Sequence, residues 1–189
     1  MFDPFERMFE AQRILRERQA SIVAVLTQTG IPFALFASNA TYAWIESVDP
    51  SCVRQCRNID LIANRHDRDA VMSALTCLQL SPESRDDYLL LRNKHTCHDR
   101  WFDRVYFAGE KLANSDVMIP TLYEIEIIKE VPVVLLPALV EFQLRRFKLD
   151  DKVDLRDLID VGLIDQSWPA KLPPGLAERL QQILDTPEG

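Results

Sequence analysis

The stretch Phe33-Ala34-Leu35-Phe36-Ala37 constrains this chain more than any other, because it is wholly apolar and runs straight into Ser38-Asn39 and a helical pattern. A short apolar run bounded by turn residues reads as a buried strand. Ser38 or Asn39 can cap a helix over Ala40 to Glu46. Strand, tight serine-bearing turn and helix therefore follow one another without a linker. Such a turn presents free backbone N–H groups and the positive end of a helix dipole, which suits an anion. An ordinary strand-to-helix turn has the same signature, so the turn alone does not decide.

Upstream, Asp3, Pro4 and Glu6 form a helix start with a capping box. Phe5, Met8, Phe9, Leu15, Ile22, Val25 and Leu26 recur on one helical face until Gly30 and Pro32 end it. Downstream, a loop over Val48 to Arg57 leads to a strand from Asn58 to Ala63, and His66 to Leu78 reads as a helix with Val71, Ala74, Leu75 and Leu78 inward. Strands are expected at Tyr88 to Arg92 and Trp101 to Phe107, joined by the polar turn "NKHTCHD", and at Glu124 to Ile128 and Val131 to Leu135. Helices are expected from Pro137 to about Leu149, from Asp154 to near Leu163, and from Pro173-Pro174 to Leu184. This order predicts an α/β (α+β) protein: a mixed sheet flanked by helices in residues 1–136, and a helical C-terminal part in residues 137–189 packed on it as one unit.

Composition narrows the function classes. The net charge of -7 argues against broad nucleic-acid binding through phosphates. The cluster Arg145, Arg146, Lys148 and Lys152 reads as a solvated helix face. The longest apolar run, Val131 to Val140, is interrupted by Pro132 and Pro137 and is too short for a bilayer. The start has no signal-peptide pattern, so a cytoplasmic protein is expected. Cys52, Cys56, Cys77 and Cys97 show no CxxC spacing and are expected as free thiols. A zinc site from Cys52 and Cys56 with His95, Cys97 and His98 matches no usual finger or ribbon.

The chemistry centres on "CRNIDLIAN", Cys56 to Asn64, which sets one carboxylate, Asp60, among apolar residues. Side chains at i and i+2 on a strand share a face. An Asp-x-Asp there would aim two carboxylates at one hard divalent ion, and a third acid would let two ions clamp a phosphoryl group. Together with the Ser38 turn, this arrangement resembles the minimal nucleotidyltransferases of the polymerase-beta-like superfamily. "GIPFALFASNATYAW" is similar to the family's first strand, turn and helix, and "VRQCRNIDLIANRHD" to the segment bearing its Asp-x-Asp. "VYFAGEK" is similar to a later core strand, and Ala138 to Asp165, with "DLRDL", to the helical tail of one bacterial branch.

The resemblance implies a nucleoside triphosphate site, with Asp60 and Asn58 at the catalytic pair, Ala37, Ser38 and Gln143 toward the nucleotide, and Asp60 with Asp103 toward Mg²⁺. Arg104 can equally fill the slot of the third carboxylate, and Asp103 then reads as a solvent-facing strand-end residue. Three positions depart from the family pattern. Ala37 replaces a glycine and resists positive φ. Asn58 replaces the first Asp. Gln143 stands near a customary Lys. All three lead away from metal and phosphate, so the sequence favours a degenerate nucleotidyltransferase acting as a binding or partner module, with a protein partner. The alternative is an active, Mg²⁺-dependent, toxin-like enzyme that transfers a nucleotide to a protein, RNA or small molecule. Asp60 is then a surviving ligand; otherwise it is a structural acid that caps a turn or pairs with Arg54 or Arg57. Asn58→Asp alone is expected to gain measurable Mg²⁺ binding but little turnover.

Overall fold

A computed structural model describes residues 4–54, 56, 58–93 and 102–186, with side chains described from Phe9 onward in the first helix. That helix, α1 (Pro4–Gln28), buries Leu15, Ile22 and Leu26 against the sheet and leaves Phe9 exposed. The N-terminal cap expected at Asp3 lies outside the described residues.

The sheet has seven strands. In chain order they are β1 (Phe33–Leu35), β2 (Asp60–Ala63), β3 (Leu80–Ser84), β4 (Tyr88–Asn93), β5 (Phe102–Phe107), β6 (Ile125–Ile128) and β7 (Val131–Val134). Their spatial order is β3-β4-β5-β2-β1-β7-β6. β1 runs antiparallel to β2 and parallel to β7, and β2 runs parallel to β5. β1 and β2 thus sit centrally, and every described residue of the two strands is buried. Apolar runs such as Phe33-Ala34-Leu35 suit a strand covered on both faces.

The remaining helices are α2 (Ala37–Val48), α3 (Arg68–Thr76), α4 (Leu136–Arg146), α5 (Leu149–Asp160) and α6 (Pro174–Leu184). One apolar cluster joins the sheet to α1, α2 and α3 through residues such as Ile22, Phe36, Ile62 and Leu75. A second gathers Ile45 of α2 with Leu144, Leu155, Leu158 and Leu180 of α4, α5 and α6. Helix α2 contributes to both clusters, which fixes the position of the C-terminal helices over the turn at Ala37.

Several boundaries differ from the sequence reading. β1 ends at Leu35, because Phe36 is extended but already accepts the first helical bonds from Asn39 and Ala40. The helix therefore begins at Ala37, and Ser38 sits inside its first turn rather than capping it. β2 starts at Asp60, not Asn58, because the Ile59 N–H goes to the carboxylate of Asp103 at 2.8 Å instead of a strand partner. β3 has no counterpart in the sequence reading, because Pro82 and two serines give it a loop's composition, and it lies at the sheet edge where proline is tolerated. A 3-10 turn, Arg65–Asp67, precedes α3. Helix α5 begins at Leu149 rather than Asp154, since Asp151 accepts from the Lys148 N–H at 2.9 Å and caps it. The "NKHTCHD" turn and Trp101 lie outside the described residues.

Ala37 carries φ of +49°, the left-handed conformation that the sequence reading held it would resist. It is buried, and the turn forces it, because β1 must pass directly into α2. A left-handed L-residue costs roughly 1–2 kcal/mol. Ala37→Gly is expected to leave stability within about 1 kcal/mol of the parent, strain relief offsetting the added chain entropy. Ala37→Val, β-branched at positive φ, should lower it by roughly 2 kcal/mol or more. Urea denaturation of the pair checks this, and equal stabilities would contradict the strain.

Candidate functional site

A cleft of about 420 Å³ opens between the start of β2 and the first turns of α2 and α5. Ser38, Asn58, Asp60, Arg104, Asp150 and Asp154 line it. Ser38, Asn58 and Asp60 therefore come together as the sequence reading requires, although Asn58 lies in a bend ahead of the strand. The main chain of Asp60 is held from the α2 side. Its N–H donates to Asn39 Oδ1 at 2.8 Å, and its carbonyl accepts from the Phe36 N–H at 2.9 Å. Asn39 is thus a brace between helix and strand, a role that sequence reasoning assigned only as a possible cap.

The parallel register of β2 and β5 sets Asp60 opposite Arg104. Arg104 Nε donates to Asp60 Oδ1 at 2.7 Å, and Arg104 Nη2 donates to Asp60 Oδ2 at 2.8 Å. The carboxylate is held in a two-point fork, a strong and directional arrangement. Burial pushes the Asp60 carboxyl above the usual carboxylate range, against the pull of Arg104. The partner of Asp60 is therefore Arg104. Arg54, one of the two expected partners, pairs instead with Asp157 at 2.9 Å, and Arg57, the other, lies outside the described residues.

Asp103 does not join Asp60. Its neighbour Arg104 shares the cleft face, so alternation along β5 turns Asp103 to the opposite face. There it accepts from the Ile59 N–H and from Arg18 Nη2 of α1 at 2.9 Å. With 2% of its surface exposed, it is a buried acid tying α1, β2 and β5, not a solvent-facing strand end. Burial raises its carboxyl, opposed by Arg18.

Gln143 is fully buried and lies beneath the cleft lining rather than in it. Its Nε2 donates to Thr41 Oγ1 at 2.9 Å and to Asp154 Oδ2 at 3.2 Å. Ser38 Oγ donates to the same Asp154 oxygen at 2.8 Å. One carboxylate on α5 thus gathers side chains from α2 and α4. Burial lifts Asp154 to about 7, with the Ser38 bond opposing and Asp151 and Asp157 adding to the rise. Sequence reasoning quoted Asp154 within "DLRDL" but gave it no role. Within the basic cluster, Arg146 is partly buried on Asp151 and Arg145 pairs with Glu141.

A divalent ion draws on several charged oxygens in near-octahedral array. Here both Asp60 oxygens are engaged by a guanidinium, and the opposing strand position holds a cation. Among the described residues, no group of three or more His, Cys, Asp or Glu side chains is placed to hold a metal ion. The described residues of the cleft do not fit Mg²⁺. The zinc reading cannot be carried further, since His95, Cys97 and His98 lie outside the described residues; Cys52, Cys56 and Cys77 are free. No helix among the described residues is long and apolar enough to cross a membrane.

No family model and no curated protein matches the sequence. Solved structures do match. JHP933 from Helicobacter pylori aligns at a TM-score of 0.57 with 12% identity, over 94% of this chain and 75% of that one. The lincosamide antibiotic adenylyltransferase LnuA, lincomycin-bound, aligns at 0.55 with 11% identity, over 77% and 96%. TM1012 from Thermotoga maritima, assigned as a nucleotidyltransferase, aligns at 0.50 with 12% identity, over 80% and 93%. The mixed sheet with its serine turn and central acid strand thus has a nucleotidyltransferase-like fold.

The Asp154 network has a pH signature. Its folded value, about 7, lies above the ordinary carboxyl value of 3.8, so the folded state holds the proton more tightly. Its contribution to stability is full below about 4, declines as pH rises to about 7, and is gone above that. The upper bound is roughly 4 kcal/mol across this window. Asp154→Asn is expected to flatten that decline in urea denaturation between pH 4 and 8. A variant profile as steep as the parent's would remove Asp154 as its source.

Proposed function

We propose that this nucleotidyltransferase-fold protein has lost nucleotidyl transfer and acts as a binding or partner module. The observation that carries this reading is the fork of Arg104 on Asp60. A guanidinium stands in register where a third carboxylate would complete the metal site, and it takes both oxygens of the remaining acid. Three further features support it. Asn58 brings no charge to the cleft. Asp103 faces away. Gln143 spends its amide on Thr41 and Asp154. Without a metal, a triphosphate would meet Asp150 and Asp154, with Arg104 committed to Asp60 and the α2 terminus contributing only about 1 kcal/mol. We also read the division near residue 136 as part of this proposal. The helices after it would serve as the partner-facing layer.

The test is incubation with radiolabelled ATP, GTP, CTP and UTP, with Mg²⁺ or Mn²⁺, total RNA and the protein itself as acceptors. No labelled product is expected. Product that disappears in Asp60→Ala would establish the active-enzyme reading instead. The same geometry revises the expectation for Asn58→Asp. A carboxylate added beside an occupied fork should leave Mg²⁺ binding undetectable by calorimetry. The double variant Asn58→Asp with Arg104→Asp, which frees Asp60 and supplies a third acid, should bind Mg²⁺ at least tenfold more tightly than either single variant.

A further inference from the structure

We infer a second ligand site on the C-terminal helices: a slot that takes a single amphipathic organic anion, an apolar chain ending in a carboxylate. The slot lies between α5 and the end of α6 and encloses about 440 Å³. That size falls within the roughly 300–1,000 Å³ typical of small-molecule pockets. Phe147, Leu149, Val153 and Ile183 make its walls. Val153 also lines the polar cleft.

The rim is cationic in a chain whose net charge is -7. Arg54, Lys152 and Arg156 surround the opening. Arg54 is neutralised by Asp157. The other two have no carboxylate partner among the described residues. Lys152 Nζ lies 4.3 Å from the centroid of the Phe147 ring, a contact that leaves its three donors usable. Arg156 donates to the carbonyls of Ile183 and Thr186 at the end of α6, which fixes its charge at the mouth. An apolar wall edged by two cations that meet no carboxylate among the described residues complements an anion with a hydrocarbon tail.

The same features argue for a small molecule over a docked protein helix. Leu149, 76% exposed, is the one large exposed hydrophobic of this region among the described residues; Phe9, Met118, Tyr123 and Ile127 lie on other elements. A helix in a groove needs a row of such anchors. A single hydrocarbon chain needs only the slot. This inference does not depend on whether the polar cleft binds nucleotide.

The experiment is calorimetric titration of the full chain, below micellar concentrations, with dodecanoate, dodecanol and dodecyltrimethylammonium. Dodecanoate is expected to bind in a one-to-one ratio, at least tenfold more tightly than dodecanol, with the ammonium compound weakest. Lys152→Glu should weaken dodecanoate by tenfold or more while leaving dodecanol unchanged, and Lys152→Arg should retain binding. Val153→Phe should reduce both. Circular dichroism and urea midpoints identify any variant that fails to fold, and the wild-type selectivity among the three probes stands without variants. Equal affinity for dodecanoate and dodecanol, no saturable binding, or dodecanoate binding unaffected in folded Lys152→Glu would each overturn the proposal.

Discussion

The pairing of β2 with β5 is the constraint on which the cleft depends. Because these strands run parallel with Asp60 opposite Arg104, acid and base share one face and Asp103 takes the other. A slip of one residue would exchange Arg104 for Asp103 and place two acids side by side. The register is held by more than the ladder. The Ile59 N–H is fixed on Asp103, the Arg104 N–H donates to the Ile59 carbonyl at 2.8 Å, and Asn39 fixes the Asp60 N–H from the helix side. Each bond is buried, where an unmet donor costs more than a met one gains. The fork on Asp60 is therefore a result of the fold's own hydrogen-bond requirements and not a loose surface contact.

A second polar node sits one layer away. Asp154 receives Ser38 and Gln143, while the apolar cluster of Ile45, Leu144, Leu155 and Leu158 surrounds the junction of α2, α4 and α5. The apolar contacts supply the attraction, and the polar bonds select one arrangement of the three helices. A raised Asp154 is consistent with that role. A neutral carboxylic acid can sit in this junction at far lower desolvation cost than a carboxylate. The serine turn, which in an anion site would aim its hydroxyl at a ligand, here uses it to hold the C-terminal helices in place.

Much of the fold was legible because it follows from local pattern. The run Phe33 to Leu35, the acid-bearing strand and the pair Ile125–Ile128 with Val131–Val134 announce themselves by apolar content and turn residues. β3 does not, since Leu80-Ser81-Pro82-Glu83-Ser84 has the composition of a loop and is a strand only because β4 pairs with it. The site was legible in part for the same reason. Asp60, Ser38 and Asn58 share a cleft, as spacing and resemblance implied. The identity of the Asp60 partner was not readable, because Arg104 and Asp103 are adjacent and only the register of strands far apart in sequence decides between them. The burial of Gln143 and Asp154 was hidden likewise. It depends on how α4 and α5 pack on α2, and no local periodicity encodes that.

The departures at Ala37, Asn58, Arg104 and Gln143 form a mutually consistent set. Were Arg104 an acid, Asp60 and its neighbour would repel across a buried gap unless a metal filled it. With arginine there, the charge is balanced by the protein alone. Gln143 fits the same logic: a lysine there would need its charge met in the buried space beside Asp154, whereas an amide donates to Thr41 and Asp154 without adding one. A neutral junction then lets Asp154 keep its proton near neutral pH. Charge that a nucleotide site would draw from ligands is in this chain met on Asp60 by Arg104, while Lys152 and Arg156 on the C-terminal helices meet no carboxylate among the described residues.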